Sequence, residues 1–137
     1  MKTARLRTVR DLLRFAVNQF NQAGLSFGHG THNARDESAY LILHTLQLPL
    51  DQLEPFLDTP LNRKQITAVL NILRQRVTKK IPAAYLTHEA WLGDLRFYID
   101  QRVIVPRSFI AELLRARLKP WIKDADAVTA ALDLFTG

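Results

Sequence analysis

The chain has 137 residues, 47% of them apolar and 23% charged, which is typical of a globular protein and excludes a disordered or low-complexity one. It contains no cysteine, which excludes a disulfide framework and a thiolate metal site and fits a reducing cytoplasm; its apolar runs are too short to span a membrane. The net charge of +6 lies entirely on residues 1–80, with 12 Lys/Arg and 6 Asp/Glu, because residues 81–137 carry 7 of each.

The first predicted element is an amphipathic helix that ends at Gly24. Its apolar positions recur at steps of three and four residues and therefore share one face. These positions are Val9, Leu13, Ala16, Val17 and Phe20. Arg7, Arg10 and Arg14 fall on another face at similar steps. This arginine row predicts either contact with phosphates, as in ribosomal RNA, or an ordinary solvated face.

A loop with two glycines in three residues, at positions 27–33, precedes the second predicted helix. Asn33 is a favourable N-cap for this helix, and Asp36 and Glu37 lie near the positive end of its dipole. We expect the helix to end before Pro49, because proline disfavours a helical conformation of the residue before it.

The strongest helical pattern follows a short helical turn that Pro55 limits. An apolar seam over residues 66–77 predicts a third helix, which Pro82 terminates. The composition then becomes rich in aromatic and β-branched residues, which is typical of strands. We therefore predict an antiparallel hairpin with its strands at residues 95–100 and 102–105.

The last predicted elements are a helix and a strand. Ser108 is a suitable cap for a helix that reaches Leu118 and stops at Pro120. An apolar strand over residues 128–135 then leads into the final Thr136 and Gly137. Strand, helix and strand ending in a glycine turn is how many α/β domains begin.

Few side chains form a pattern that predicts chemistry. His29 and His32 are three residues apart but lie in the glycine loop rather than on a helix, so we expect no metal site. Four aromatic residues are expected to cover the hairpin joint rather than to stack on bases: Tyr85, Trp91, Phe97 and Tyr98. We assign no catalytic residue within the chain.

Three segments together resemble one protein family. They are Phe-Gly-His-Gly-Thr at 27–31, Ile-Pro-Ala-Ala-Tyr-Leu-Thr at 81–87 and Val-Ile-Val-Pro-Arg-Ser at 103–108. In this order they resemble the bacterial protein-glutamine N5-methyltransferases, in the branch that methylates the third ribosomal protein of the large subunit. The branch that methylates release factors usually has Pro-Arg-Pro-Asp-Thr-Glu where this chain has Pro-Arg-Ser-Phe-Ile-Ala, at 106–111.

The resemblance implies a mainly α chain with an N-terminal helical bundle, a β-hairpin linker and the first helix and strand of a truncated Rossmann-like α/β methyltransferase domain. We assign residues 1–82 to substrate recognition, 83–107 to the linker and 108–137 to the start of the domain that binds S-adenosyl-L-methionine. Thr136 and Gly137 match the beginning of the family's cofactor loop, and Ile104 matches an apolar position near the cofactor. The residues that hold the cofactor ribose, and the Asn-Pro-Pro-Tyr motif that holds the glutamine amide, are expected beyond Gly137.

We therefore expect the recognition part of a protein-glutamine methyltransferase that acts on a large-subunit ribosomal protein, free or in an assembling ribosome. By itself the chain is expected to be inactive and to bind no cofactor. The alternatives are a release-factor glutamine methyltransferase, a non-catalytic basic helical module that binds RNA or ribosomes, and a small interaction protein. The apolar strand at 128–135 argues against the last two, because a self-sufficient module would leave it as an exposed edge.

Overall fold

The computed structural model describes residues 6–28 and 30–134 and divides the chain into two units, residues 1–88 and residues 89–137. The chain is mainly helical, with 48% helix, and the described residues form one two-stranded antiparallel sheet. The predicted mainly α class is thereby confirmed. None of the described helices has both the length and the apolar character that crossing a bilayer requires.

Three helices make up most of the first unit: α1 (Val9–Gln22), α2 (Ala34–Leu46) and α3 (Arg63–Lys79). Each begins at a side chain that accepts a hydrogen bond from a backbone N–H in its first turn, which satisfies a group that the helix itself leaves unpaired. Thr8 and Asn62 do so within capping boxes, and Asn33 caps α2 as predicted. The helix ends also agree with the sequence, because α1 stops before Gly24 and α2 stops before Pro49.

The core of this unit lies between the apolar faces of the three helices. Its side chains are Val9, Leu12, Leu13, Ala16 and Phe20 of α1, Leu41 and Ile42 of α2, and Val69 and Leu73 of α3. Most of these positions follow the three- and four-residue steps of the sequence pattern, since a helix buries one stripe of its surface. Only Val17 of the predicted α1 face is partly rather than fully buried.

Two shorter elements complete the first unit. A 3₁₀ turn at Glu54–Phe56 contains Pro55, as expected, and the connection that follows it is bonded to the start of α1. In that connection Leu57 O accepts from Arg10 N at 2.8 Å, and Arg7 O accepts from Leu61 N at 2.8 Å. The short helix α4 (Ala83–Thr87), which the sequence did not predict, packs against α2 and α3.

The second unit contains the hairpin, but not with the predicted strands. Strand β1 (Glu89–Leu92) pairs with β2 (Leu95–Tyr98), so that Trp91 faces Arg96 across the ladder. Gly93 and Asp94 form the loop between the strands, where Gly93 adopts a φ of 62° that glycine tolerates. The predicted second strand at 102–105 is wrong: the chain turns at Asp100, and β2 already has its partner on the other side of a two-residue loop.

The remainder of the second unit is less regular than the sequence predicted. Helix α5 (Ile110–Arg115) begins one residue later than the predicted Ser108 cap implies: its N-cap is Phe109, and Ser108 Oγ accepts from Ile110 N at 3.1 Å. It ends early because Arg117 and Leu118 both have a φ of 55°, outside the helical range. Residues 128–134, the described part of the predicted last strand, form no strand, because no described neighbouring strand pairs with them.

Candidate functional site

A buried ion pair holds the glycine loop on the helical unit. Arg76 Nε lies 2.5 Å from Glu37 Oε1, and the two side chains are only 5% and 4% exposed. The same two residues bind the loop on either side of its glycines. Arg76 Nη2 donates to the carbonyl oxygen of Ser26 at 2.9 Å, and Thr31 Oγ1 donates to Glu37 Oε2 at 3.0 Å. Arg76 and Ser26 are 50 residues apart in the chain, so the ion pair fixes the loop to a distant helix.

The sequence indicated a structural role for Glu37 of this pair but not for Arg76. Glu37 lies in the first turn of α2, as predicted, and its carboxylate is also a buried acceptor, which the sequence did not indicate. Arg76 was not predicted to matter. A signal was nevertheless present, because Arg76 follows the buried Val69 and Leu73 at helical steps and so lies on the buried face of α3. A charge on such a face requires a buried partner of opposite sign.

Aromatic packing and backbone geometry give the loop two further constraints. The Phe27 ring lies 6.4 Å from that of Phe20 in the core, at an interplanar angle of 35°. Gly28 and Gly30 have φ values of 151° and 102°, and a Cβ on either would meet no atom within 4 Å. The glycines are therefore required by the backbone conformation rather than by crowding. His29 lies outside the described residues.

The second of the three motif segments is bound to the same helix. Tyr40 Oη lies 2.9 Å from Thr87 Oγ1, which joins α2 to the last residue of α4. Glu37 and Tyr40 are three residues apart and therefore neighbours on the α2 surface. Two segments that are about 50 residues apart in the chain, 27–31 and 81–87, are thus both anchored on adjacent positions of α2. This arrangement is the candidate recognition site.

The arginine row on α1 is interrupted by an ion pair. Arg10 Nε and Nη2 lie 2.8 and 2.9 Å from the two carboxylate oxygens of Asp58, a two-bond contact typical of strong pairs. Hydrogen bonding to Arg10 lowers the pKa of Asp58, and the reciprocal bond raises the pKa of Arg10. Arg7 and Arg14 are exposed. The predicted row is therefore not a uniform line of free cations.

The structure describes only some of the residues predicted to meet a cofactor or considered as metal ligands. Ile104 is 66% exposed in an irregular segment, and Thr136 and Gly137 lie outside the described residues. His32 is exposed, and the described part of the chain has no cluster of three His, Asp or Glu side chains that could hold a metal ion. Of the residues assigned to S-adenosyl-L-methionine, the described part of the chain therefore includes only Ile104, an exposed apolar side chain.

Comparison with known proteins gives the chain clear relatives. It is 60% identical over 132 residues to a ribosomal protein uL3 glutamine methyltransferase of Neisseria meningitidis serogroup A, 58% identical over 131 residues to that of Burkholderia pseudomallei and 53% identical over 132 residues to that of Bordetella pertussis. Each match covers 96% of this chain but only 43–44% of the relative, so the chain spans less than half the length of these proteins. No family model and no solved structure matches it. The predicted resemblance to the ribosomal-protein branch is confirmed.

Proposed function

We propose that this chain is the substrate-recognition part of a longer S-adenosyl-L-methionine-dependent enzyme that methylates a glutamine side chain of ribosomal protein uL3. The observation that carries the proposal is the 60% identity that extends over 96% of the chain. An identity this high, spread over nearly all of the residues, is expected to preserve the surface that contacts the substrate as well as the core.

We propose the division of labour that the sequence predicted, with recognition by residues 1–82, a linker at 83–107 and the start of a Rossmann-like methyltransferase domain at 108–137. Supporting this, the second unit exposes large apolar side chains, including Phe109 at 87%, Trp121 at 70% and Leu132 at 83%. Exposed apolar surface of this kind usually marks a face that another layer of protein covers. The longer relatives have the additional residues from which such a layer could be built.

The anchored loop and α4 are the proposed contact surface for the substrate. Glu37 and Arg76 hold the loop on both sides of its glycines, and Tyr40 holds Thr87. A surface that is ordered before binding avoids an entropic cost of about 0.5–1.5 kcal/mol for each side chain that binding would otherwise immobilise. These contacts therefore serve affinity without themselves touching the reacting atoms.

Such a surface matters because a glutamine amide is a weak nucleophile, its nitrogen lone pair being delocalised into the carbonyl. S-adenosyl-L-methionine supplies an electrophilic methyl group, and the reaction requires the amide nitrogen to be placed in line with it. Correct placement of two reactants can supply much of an enzymatic rate gain. The role proposed for this chain is to hold uL3 so that one glutamine reaches the catalytic part of the longer protein.

The proposal is tested with the full-length protein, purified uL3 and a purified release factor. We expect S-adenosyl-L-methionine to support methylation of one uL3 glutamine, seen by mass spectrometry of the digested substrate, and to leave the release factor unmodified. Residues 1–137 by themselves should transfer no methyl group, because they lack an Asn-Pro-Pro-Tyr sequence to hold the amide. Methylation of the release factor instead of uL3, or by residues 1–137 unaided, would contradict the proposal.

A further inference from the structure

The region around α3 carries an unbalanced positive charge. Residues 59–88 contain six Lys or Arg and no Asp or Glu. One of the six, Arg76, is buried and neutralised by Glu37. The other five are exposed and, among the described residues, none of them lies in an ion pair. They are Arg63, Lys64, Arg74, Lys79 and Lys80.

Four of these cations lie on one face of α3. The helix buries Val69, Leu73 and Arg76, and the opposite side is exposed along its whole length. The side chains of this exposed face are Arg63, Lys64, Thr67, Ala68, Asn71, Arg74, Gln75, Thr78 and Lys79. At a rise of about 1.5 Å per residue, the cations at its two ends are about 24 Å apart. We call these nine residues the α3 basic face.

The α3 basic face also has a shallow recess near its N-terminal end. It is lined by Arg63, Lys64, Thr67, Ala68 and Asn71. Ala68 leaves room between longer neighbours, while the Thr67 hydroxyl and the Asn71 amide are hydrogen-bond donors beside two cations. Cations together with Thr and Asn donors are the side chains that contact phosphate oxygens in nucleic-acid complexes.

We propose that the α3 basic face binds the phosphate backbone of RNA. A protein partner fits this face poorly, because protein interfaces depend on buried aromatic and apolar anchors and the α3 basic face has none. RNA rather than DNA is inferred because the proposed substrate is a ribosomal protein, and to that extent the inference rests on the proposed function. The proposed RNA contact is on α3 rather than on the arginine row at the start of α1, because Arg10 of that row forms an ion pair with Asp58.

The test compares two variants of the chain that each lose four positive charges. The α3 variant carries glutamine in place of four cations of the α3 basic face: Arg63, Lys64, Arg74 and Lys79. The control variant carries glutamine in place of four cations that are exposed outside the α3 basic face: Arg7, Arg14, Lys119 and Lys123. Glutamine has nearly the helix propensity of lysine and arginine, and the control positions outside helices are exposed, so both variants should fold, which circular dichroism verifies. Binding to a fluorescently labelled RNA hairpin is followed by anisotropy over a series of potassium chloride concentrations.

We expect the α3 variant to lose about tenfold or more in affinity and its slope of log affinity against log salt to fall by about 3, since each lost phosphate contact contributes about 0.7–0.9. The control variant should lose much less. Equal losses in the two variants, or binding to polyglutamate as tight as to RNA, would overturn the inference, as would a failure of the chain to bind RNA at about 100 mM salt. Methylation of purified, RNA-free uL3 is measured separately, so either proposal can fail while the other stands.

Discussion

Replacement of Arg76 by leucine is the sharpest probe of the loop anchor. The substitution leaves the Glu37 carboxylate almost fully buried, with Thr31 as its remaining hydrogen-bond donor from the loop, and removes the donor to the Ser26 carbonyl. Removal of one member of a buried ion pair typically costs about 3–5 kcal/mol, because the other charge is left uncompensated in a poorly polarisable surrounding. A loss of that size is a large fraction of the roughly 5–15 kcal/mol that keeps a typical domain folded.

Unfolding in urea is monitored by far-UV circular dichroism, a signal that comes mainly from the helices of residues 1–88. Arg74→Leu is the matched control: it makes the same chemical change two residues earlier in α3 at an exposed position, where about 0.5 kcal/mol is expected. The double variant Glu37→Met/Arg76→Leu should recover part of the loss, since replacing both charges by apolar groups is often close to neutral. Amide exchange of the loop at 26–31 should accelerate in the Arg76 variant, because the hydrogen bond to the Ser26 carbonyl is lost.

An Arg76→Leu variant no less stable than Arg74→Leu would show that the buried ion pair does not stabilise the fold. So would a double variant that is less stable than Arg76→Leu by the full cost of a second independent loss. Unchanged exchange of the loop amides would show that the ion pair stabilises the helices without positioning the loop.

Three other predictions concern separate parts of the chain. Leu73→Ala should lower the free energy of unfolding by about 2–5 kcal/mol, because Leu73 is 2% exposed and its truncation leaves a cavity; a chemical denaturation midpoint close to that of the parent chain would contradict its core position. A hydrogen bond from the backbone N–H of Arg7 lowers the pKa of Asp11. The contribution of the Asp11 carboxylate to stability is therefore present above about pH 4 and is lost as the pH falls through the lowered pKa. Stability curves of the parent chain and Asp11→Asn should therefore differ at pH 7 and converge in acid, and parallel curves would reject this account. Gly93→Ala should weaken the hairpin, because an alanine at a φ of 62° is strained and its Cβ would displace the Arg115 side chain. Gly93→Asn should weaken it less, because asparagine adopts a positive φ more readily than alanine. Nuclear magnetic resonance shifts of the strand residues measure both effects, and equal effects would show that the φ value is unimportant.

The helices of the first unit were readable from the sequence because their determinants are local. Asn33 caps α2 through a backbone group only three residues away, and the residue after α1 precedes a glycine that takes a left-handed conformation. The apolar steps of α3 likewise predicted its buried face. A helical hydrogen bond joins residues four apart, so all of this information lies within one or two turns.

The hairpin shows what composition cannot decide. The sequence correctly predicts a strand at residues 95–98 but places its partner after them, at 102–105, whereas β2 pairs with residues 89–92 before it. Several neighbouring segments have a composition suited to a strand, and the pairing is chosen by the turn and by packing. The same reasoning explains residues 128–134, since a segment suited to a strand forms one only when a neighbouring strand accepts its hydrogen bonds.

By itself, the sequence determined the family resemblance, the three main helices and the glycine loop, because each depends on residues close together in the chain. Only the tertiary structure decided which charges meet: Glu37 pairs with Arg76 across 39 residues, and Asp58 pairs with Arg10 across 48. Those pairings neutralise Arg10 and Arg76, whereas the cations of the α3 basic face form no ion pair within the described part of the molecule. The reason is that a charge is neutralised by what lies within a few ångströms in space, and the distance along the chain does not report that separation.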